Sequence, residues 1–156
     1  MSYTSCVLQG LVAIRWGSEP EAEDVAAYAS EIMRTRDQQG KPPIALFIMP
    51  VDSGTPPEDF RKAQAAYLPS IMSNLDYAIA VFEGSGFTTS LKRSALVAIL
   101  LLSPKRYPIY VRSTVEEALV QKPPKPLSFD PHKAIEMLKR RGILSQGGGL
   151  ASNDAF

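Results

Sequence analysis

The sequence predicts an α/β fold in the element order ββαβαβαβα: a mixed, mostly parallel sheet with helices on both faces, plus an appended C-terminal helix. Three observations carry this. Residues 44–49 (IALFIM) and 77–82 (YAIAVF) are apolar at every position, the pattern of strands covered on both faces in a parallel sheet. Between them Phe60, Ala63, Tyr67, Leu68, Ile71, Met72 and Leu75 recur at helical spacing. The chain opens on two β-rich runs, 6–8 and 11–16, split by Gln9-Gly10, which signals a hairpin.

The remaining elements follow in order. Ser18 precedes Glu19, Pro20 and Glu21, an N-cap hydroxyl with acids in the first turn and a capping-box glutamate three positions on. Ala22, Val25, Ala26, Ala29, Ile32 and Met33 then form one stripe, and Gly40 stops the helix. After 77–82, the polar loop 83–90 leads to a helix over 91–102 that ends before Pro104. Residues 108–112 read as a fifth strand, and Ser113 or Thr114 caps a helix over 115–120 whose Glu116 and Glu117 complement its dipole. Lys122-Pro123-Pro124-Lys125-Pro126 reads as an extended linker. Asp130-Pro131 starts the appended helix, and Gly142 ends it after a basic last turn. The expected organisation is a domain over 1–121, a linker over 122–130, a helix over 131–144 and a disordered Gly- and Ser-bearing tail over 145–156.

Composition limits the function classes. The 156 residues are 45% hydrophobic and 21% charged, with a formal charge of +1, so no general field collects nucleic acid or an anionic membrane. One cysteine, Cys6, and one histidine, His132, give neither a disulfide framework nor a zinc-type ligand cluster, so no metal or cofactor is expected. Neither a signal-peptide pattern nor an apolar run long enough to cross a bilayer is present, and the expected location is cytoplasmic.

The stretch Arg15-Trp16-Gly17-Ser18-Glu19-Pro20, the loop 50–61, Thr88-Thr89-Ser90-Leu91-Lys92-Arg93 and Val115-Glu116-Glu117-Ala118-Leu119 together resemble the STAS and SpoIIAA-like family, especially its short single-domain members, over residues 5–121. The resemblance implies a regulatory or ligand-binding module. In the anti-sigma-factor antagonists of that family a Ser or Thr after the matching strand is phosphorylated to switch partner binding, and Ser53 lies in the corresponding loop. Here Ser53-Gly54 is followed by Thr55-Pro56-Pro57, which sets Ser53 several residues before the helix.

Asp52, Ser53 and Thr55 therefore carry two readings: a phosphorylation switch, with Arg61 or backbone amides receiving the phosphate, or hydrogen bonds of a turn entering a helix. Arg61 and Arg93 fall early in helices, where the dipole disfavours a cation. An anion, or a carboxylate such as Asp52 or Glu83, would compensate them, and Ser85, Ser90 and Lys92 complete a candidate anion site. Gly84-Ser85-Gly86 lacks the spacing of a phosphate-binding loop. Met49-Pro50 resembles the turn after the third strand of response-regulator receivers, but Leu46 stands where their phosphorylated aspartate would be and Arg112 where their lysine would be. Catalysis by Ser53 would need His132 as its base.

Residues 95–102 are apolar all round, so the helix over 91–102 needs cover on its outer side. A second subunit meeting Leu96, Ile99 and Leu100 would supply it. So would the terminal helix, through Ile135, Leu138, Ile143 and Leu144. The expected function is a non-enzymatic regulatory or scaffolding module working through protein contacts or as a homodimer. The alternative is a domain for a small acidic or lipid-like ligand, and a further alternative is a hydrolytic enzyme.

Overall fold

The computed structural model describes residues 2–51, 56–84, 90, 93–94 and 106–145. Strands β1 (Tyr3–Leu8), β2 (Leu11–Trp16), β3 (Ile44–Met49), β4 (Ala78–Phe82) and β5 (Ile109–Arg112) form one sheet in the order β1-β2-β3-β4-β5. The first pair is antiparallel and the other three are parallel. Helices are α1 (Ala22–Gln39), α2 (Glu58–Ser73) and α3 (Pro131–Arg140), with a π-turn over Glu117–Gln121. The expected α/β class and mostly parallel sheet are thus observed, with β3 at its centre.

The hairpin turns through Gly10 at φ +79°, a conformation that costs glycine least. Gln39, the last residue of α1, locks it: its Nε2 donates to the Leu8 carbonyl at 3.0 Å and its Oε1 accepts from the Gly10 amide at 2.9 Å. Gly40 at φ +74° then ends α1, donating to the Arg36 carbonyl.

The start of α1 differs from expectation. Its N-cap is Glu21 rather than Ser18, and Asp24 reaches back to the Glu21 amide at 3.0 Å. A Ser18 cap would require helical geometry at Glu19, and a residue preceding proline is pushed out of that region by the Pro20 ring.

Alternation along the strands sorts the core into two faces. Val12, Ile14, Ala45 and Ala78 pack with Val25, Tyr28 and Ile32 of α1 and with Phe60, Ile71 and Met72 of α2. Leu11, Ala13, Leu46, Ile48, Ile79 and Val81 pack instead with Val115, Ala118, Leu119, Ala134, Leu138 and Ile143. Sequential parallel neighbours joined by right-handed crossovers stack their helices on one side, so the chain must return to cover the other. The π-turn and α3 do so. The helix expected as an appendage is consequently part of the core, with Leu138 at 0% exposure and Ile143 at 1%.

The helix expected over 115–120 begins as one and widens into the π-turn, with the Lys122 amide donating to the Glu117 carbonyl at 2.7 Å. Thr114 Oγ1 caps it by accepting from the Glu117 amide at 3.0 Å, while Glu117 Oε1 accepts from the Ser113 amide at 2.8 Å. Ser90, Arg93 and Ser94 are helical; the rest of the helix expected over 91–102 and the tail beyond 145 lie outside the described residues. No helix among the described residues is long and apolar enough to cross a membrane.

Candidate functional site

The carboxyl ends of β2 and β3, with the start of β1 alongside, border a crevice, at the end of the sheet where open α/β folds hold ligands. Period-two alternation turns Arg15 and Trp16, successive residues at the end of β2, to opposite faces. Arg15 crosses β3 to Glu83, which directly follows β4, as a bidentate pair: Nη2 to Oε1 at 2.9 Å and Nη1 to Oε2 at 3.1 Å. Nη1 also donates to the Ile143 carbonyl at 3.3 Å. One guanidinium thus fastens β2 to the end of β4 and to the segment after α3. The two side chains keep 25% and 30% of their surface, so solvent partly screens the pair.

Trp16 faces α2, edge-on to Phe60 with ring centroids 4.9 Å apart, above Met49, Ala80 and Phe82. Its indole Nε1 is withdrawn from solvent and has no acceptor among the described residues. A buried donor left without a partner costs about 1–3 kcal/mol, so an acceptor arriving here is favoured by that amount.

The N-terminal segment forms the adjoining wall. Gly17 donates its amide to the Ser2 carbonyl, and a Cβ at Gly17 would overlap that oxygen. Asp24, 3% exposed, accepts from the Ser2 amide at 3.2 Å and from the Ser2 hydroxyl. Burial raises the Asp24 carboxyl, but these donors and the Glu21 amide outweigh it and hold the group below its ordinary value of 3.8. Tyr3 donates to Glu31 Oε2 at 3.1 Å, and Ser5 Oγ donates to Glu31 Oε1 at 2.5 Å. Burial, then the Glu31 charge and this hydrogen bond, push the Tyr3 hydroxyl up to about 12, so it stays a neutral donor. The crevice is open to solvent, has a volume of about 420 Å³ and is lined by Ser2, Tyr3, Thr4, Arg15, Trp16, Gly17, Ser18, Pro50 and Gly142.

Of the site residues singled out from the sequence, the three described ones, Arg61, Ser90 and Arg93, lie outside the crevice lining. Asp52, Ser53, Thr55, Ser85, Lys92, Leu96, Ile99 and Leu100 fall outside the described residues. Arg61 is exposed on α2, and its amide donates to the Pro57 carbonyl at 3.0 Å. Arg93 donates to Ser113 Oγ at 3.1 Å, and Ser90 is exposed. Glu83, expected to compensate Arg61 or Arg93, is paired with Arg15 instead. His132 is exposed at the start of α3, where its amide and that of Lys133 are capped by Asp130 at 2.9 and 3.3 Å. No group of three or more His, Cys, Asp or Glu among the described residues is placed to hold a metal ion.

Comparison with protein-family models, curated proteins and solved structures returns no match to this chain. The site is therefore read from its own geometry. Sequence reasoning passed over Arg15, Trp16 and Asp24 as functional candidates. One signal was present: Arg15 breaks the apolar run of β2 one residue before its end, as Glu83 breaks that of β4 one residue after.

Proposed function

We propose that this chain is a STAS-like, non-enzymatic regulatory module that takes a small ligand bearing a carboxylate or phosphate on a partly apolar body in the crevice at the ends of β2 and β3. The observation that carries the reading is the acceptor-less Trp16 indole N–H, in a crevice that the partly exposed Arg15 also lines. The sheet order and the opening hairpin support the STAS-like assignment, since that resemblance implies consecutive β-α units after an antiparallel pair. The described lining favours binding over bond-making: it offers hydroxyls and a paired guanidinium, but no imidazole or carboxylate to move a proton. Because Arg15 ties the sheet to both Glu83 and Ile143, a ligand drawing on that guanidinium alters the contacts of two distant segments, which is how occupancy would reach a partner.

A second reading, a surface for protein contacts at the loop after β3, is favoured by Val51, whose 61% exposure places an apolar side chain in water at the start of that loop. Native mass spectrometry of the purified protein, with a fluorescence titration of its sole tryptophan by octanoate and by inorganic phosphate, separates the two. Bound small molecule, or a saturable emission change, supports the crevice. Bare protein with an unchanged spectrum at saturating probe retires it in favour of the contact surface.

A further inference from the structure

The face of the sheet that α3 covers says more about the anionic end of the ligand. Leu11 and Ala13 point to that face, and so, by alternation, does Arg15. The register sets Cys6 opposite Ala13 and Thr4 opposite Arg15, so Thr4, Cys6 and Arg15 are neighbours on one side of the β1–β2 pair. The chain after α3 arrives at the same place. Gly142 lines the crevice, and the carbonyl of the next residue, Ile143, accepts from Arg15 Nη1 at 3.3 Å.

Between α3 and Gly142 stands Arg141. Its amide closes the helix by donating to the Met137 carbonyl at 3.0 Å. Its exposed side chain reaches back to β1, where the guanidinium donates to the Cys6 sulfur. Burial pushes the Cys6 thiol up, and the Arg141 charge and hydrogen bond oppose that rise. Cys6 lies diagonal to Arg15 in the register, a separation of about 7–8 Å that long side chains span. Two guanidinium groups therefore flank Thr4, a lining residue.

The two differ in what they already hold. Arg15 is paired with Glu83, whereas Arg141 has no carboxylate within ion-pair distance among the described residues. A thiol is only a weak acceptor, so little keeps the Arg141 guanidinium at Cys6. Asp24 does not cancel its charge, being taken by Ser2 and the Glu21 amide. The acids that follow Ser18 in the chain, Glu19, Glu21 and Glu23, lead into α1, which covers the opposite face.

We propose that Arg141 is the second cation of the crevice and that the anionic end of the ligand is a phosphate monoester rather than a carboxylate. This rests on the crevice reading above and narrows it. Donors come from three elements: Arg15 of β2, Thr4 of β1 and Arg141 after α3. A carboxylate offers two oxygens in one plane, enough for a single guanidinium fork. A phosphate monoester offers three terminal oxygens pointing in different directions and a charge of about −1.5 to −2, so it can meet both guanidinium groups and the Thr4 hydroxyl together. Guanidinium–phosphate bonds are charge-assisted and strong, and they draw Arg141 off the Cys6 sulfur. The apolar body of the ligand continues along the crevice toward Trp16.

The test is calorimetric titration of the full chain with octyl phosphate and octanoate, matched in apolar body and kept below micelle formation, and with inorganic phosphate. Octyl phosphate is expected to bind about tenfold more tightly than octanoate, the worth of one further charged hydrogen bond, and more tightly than inorganic phosphate, which lacks the body. Arg141→Gln should erase the preference, weakening octyl phosphate about tenfold and octanoate by less than about twofold. Arg140→Gln removes the neighbouring exposed charge and should leave both within about twofold at physiological salt, where distant charges are screened. Four results overturn the proposal while leaving the crevice reading in place: equal affinity for octyl phosphate and octanoate, inorganic phosphate binding as tightly as its ester, undiminished octyl phosphate binding by Arg141→Gln, or an equal loss in Arg140→Gln. Binding of none of the three probes overturns both.

Discussion

Replacing Leu138 by alanine is expected to destabilise the whole domain. Leu138 is at 0% exposure, and α3 offers the sheet only one other buried side chain, Ala134. The hole would open in the buried cluster that also holds Leu119, Leu46, Ile79 and Ile143, and in a close-packed core little is free to collapse into it. Leu→Ala in such sites costs about 2–5 kcal/mol, transfer and cavity together, and we expect about 3. With an unfolding entropy of roughly 2.1 cal/mol/K per residue, that is a fall of about 9 °C in Tm for a chain of this length. Urea unfolding followed by circular dichroism is the assay, and the midpoint should fall while the slope m is unchanged. A loss under about 1 kcal/mol, or a separate early transition for α3, would refute the view that α3 is built into the core.

Three further outcomes follow from the site. Gly17→Ala forces a Cβ into the Ser2 carbonyl and should cost about 1–3 kcal/mol, read as a lower urea midpoint. Asp24 has a folded pKa below its ordinary 3.8. Its contribution is therefore complete above that unfolded value and lost as pH falls through the folded one. Asp24→Asn should lower stability at neutral pH and flatten its acid dependence below about pH 4, measured by thermal melts across pH. Glu83→Gln breaks the bidentate pair and should cost about 1 kcal/mol, discounted for its partial exposure, yet it frees Arg15. Octanoate or phosphate should then bind several-fold more tightly by fluorescence titration, the opposite sign to its effect on stability.

Much of the fold is written in short-range pattern. The continuous apolar runs of β3 and β4, the Gln9-Gly10 turn, the Gly40 stop and the Asp130-Pro131 start are each set by neighbours a few residues apart, and each is found where that pattern puts it. Two expectations failed, one for a local reason and one for a distant one. Ser18 looks like a cap until Pro20 is allowed to restrict Glu19. The proline run over 123–126 resembles a boundary, yet the helix beyond it returns to the sheet, because a series of crossovers on one side leaves the other bare. That obligation belongs to topology, and no window of sequence displays it.

The site was less legible for the same reason. Arg15 and Glu83 are 68 residues apart in sequence, and only the register of β2, β3 and β4 brings them across one strand. Asp24 meets Ser2 because α1 lies along the edge strand. Attention to loop residues such as Ser53 followed a sound rule about where α/β proteins keep their chemistry. The described groups that converge there come from strand ends, and Ser53 lies outside the described residues.

The most direct test of the account is the ¹H–¹⁵N resonance of the single indole, followed while octanoate and then inorganic phosphate are added. Occupation of the crevice supplies the missing acceptor, so the Trp16 Nε1–H peak should move downfield in a saturable way and its exchange with solvent should slow. A peak that stays in place at saturating concentrations of both would mean that the orphan donor does not serve a ligand, and the proposed function would fall with it.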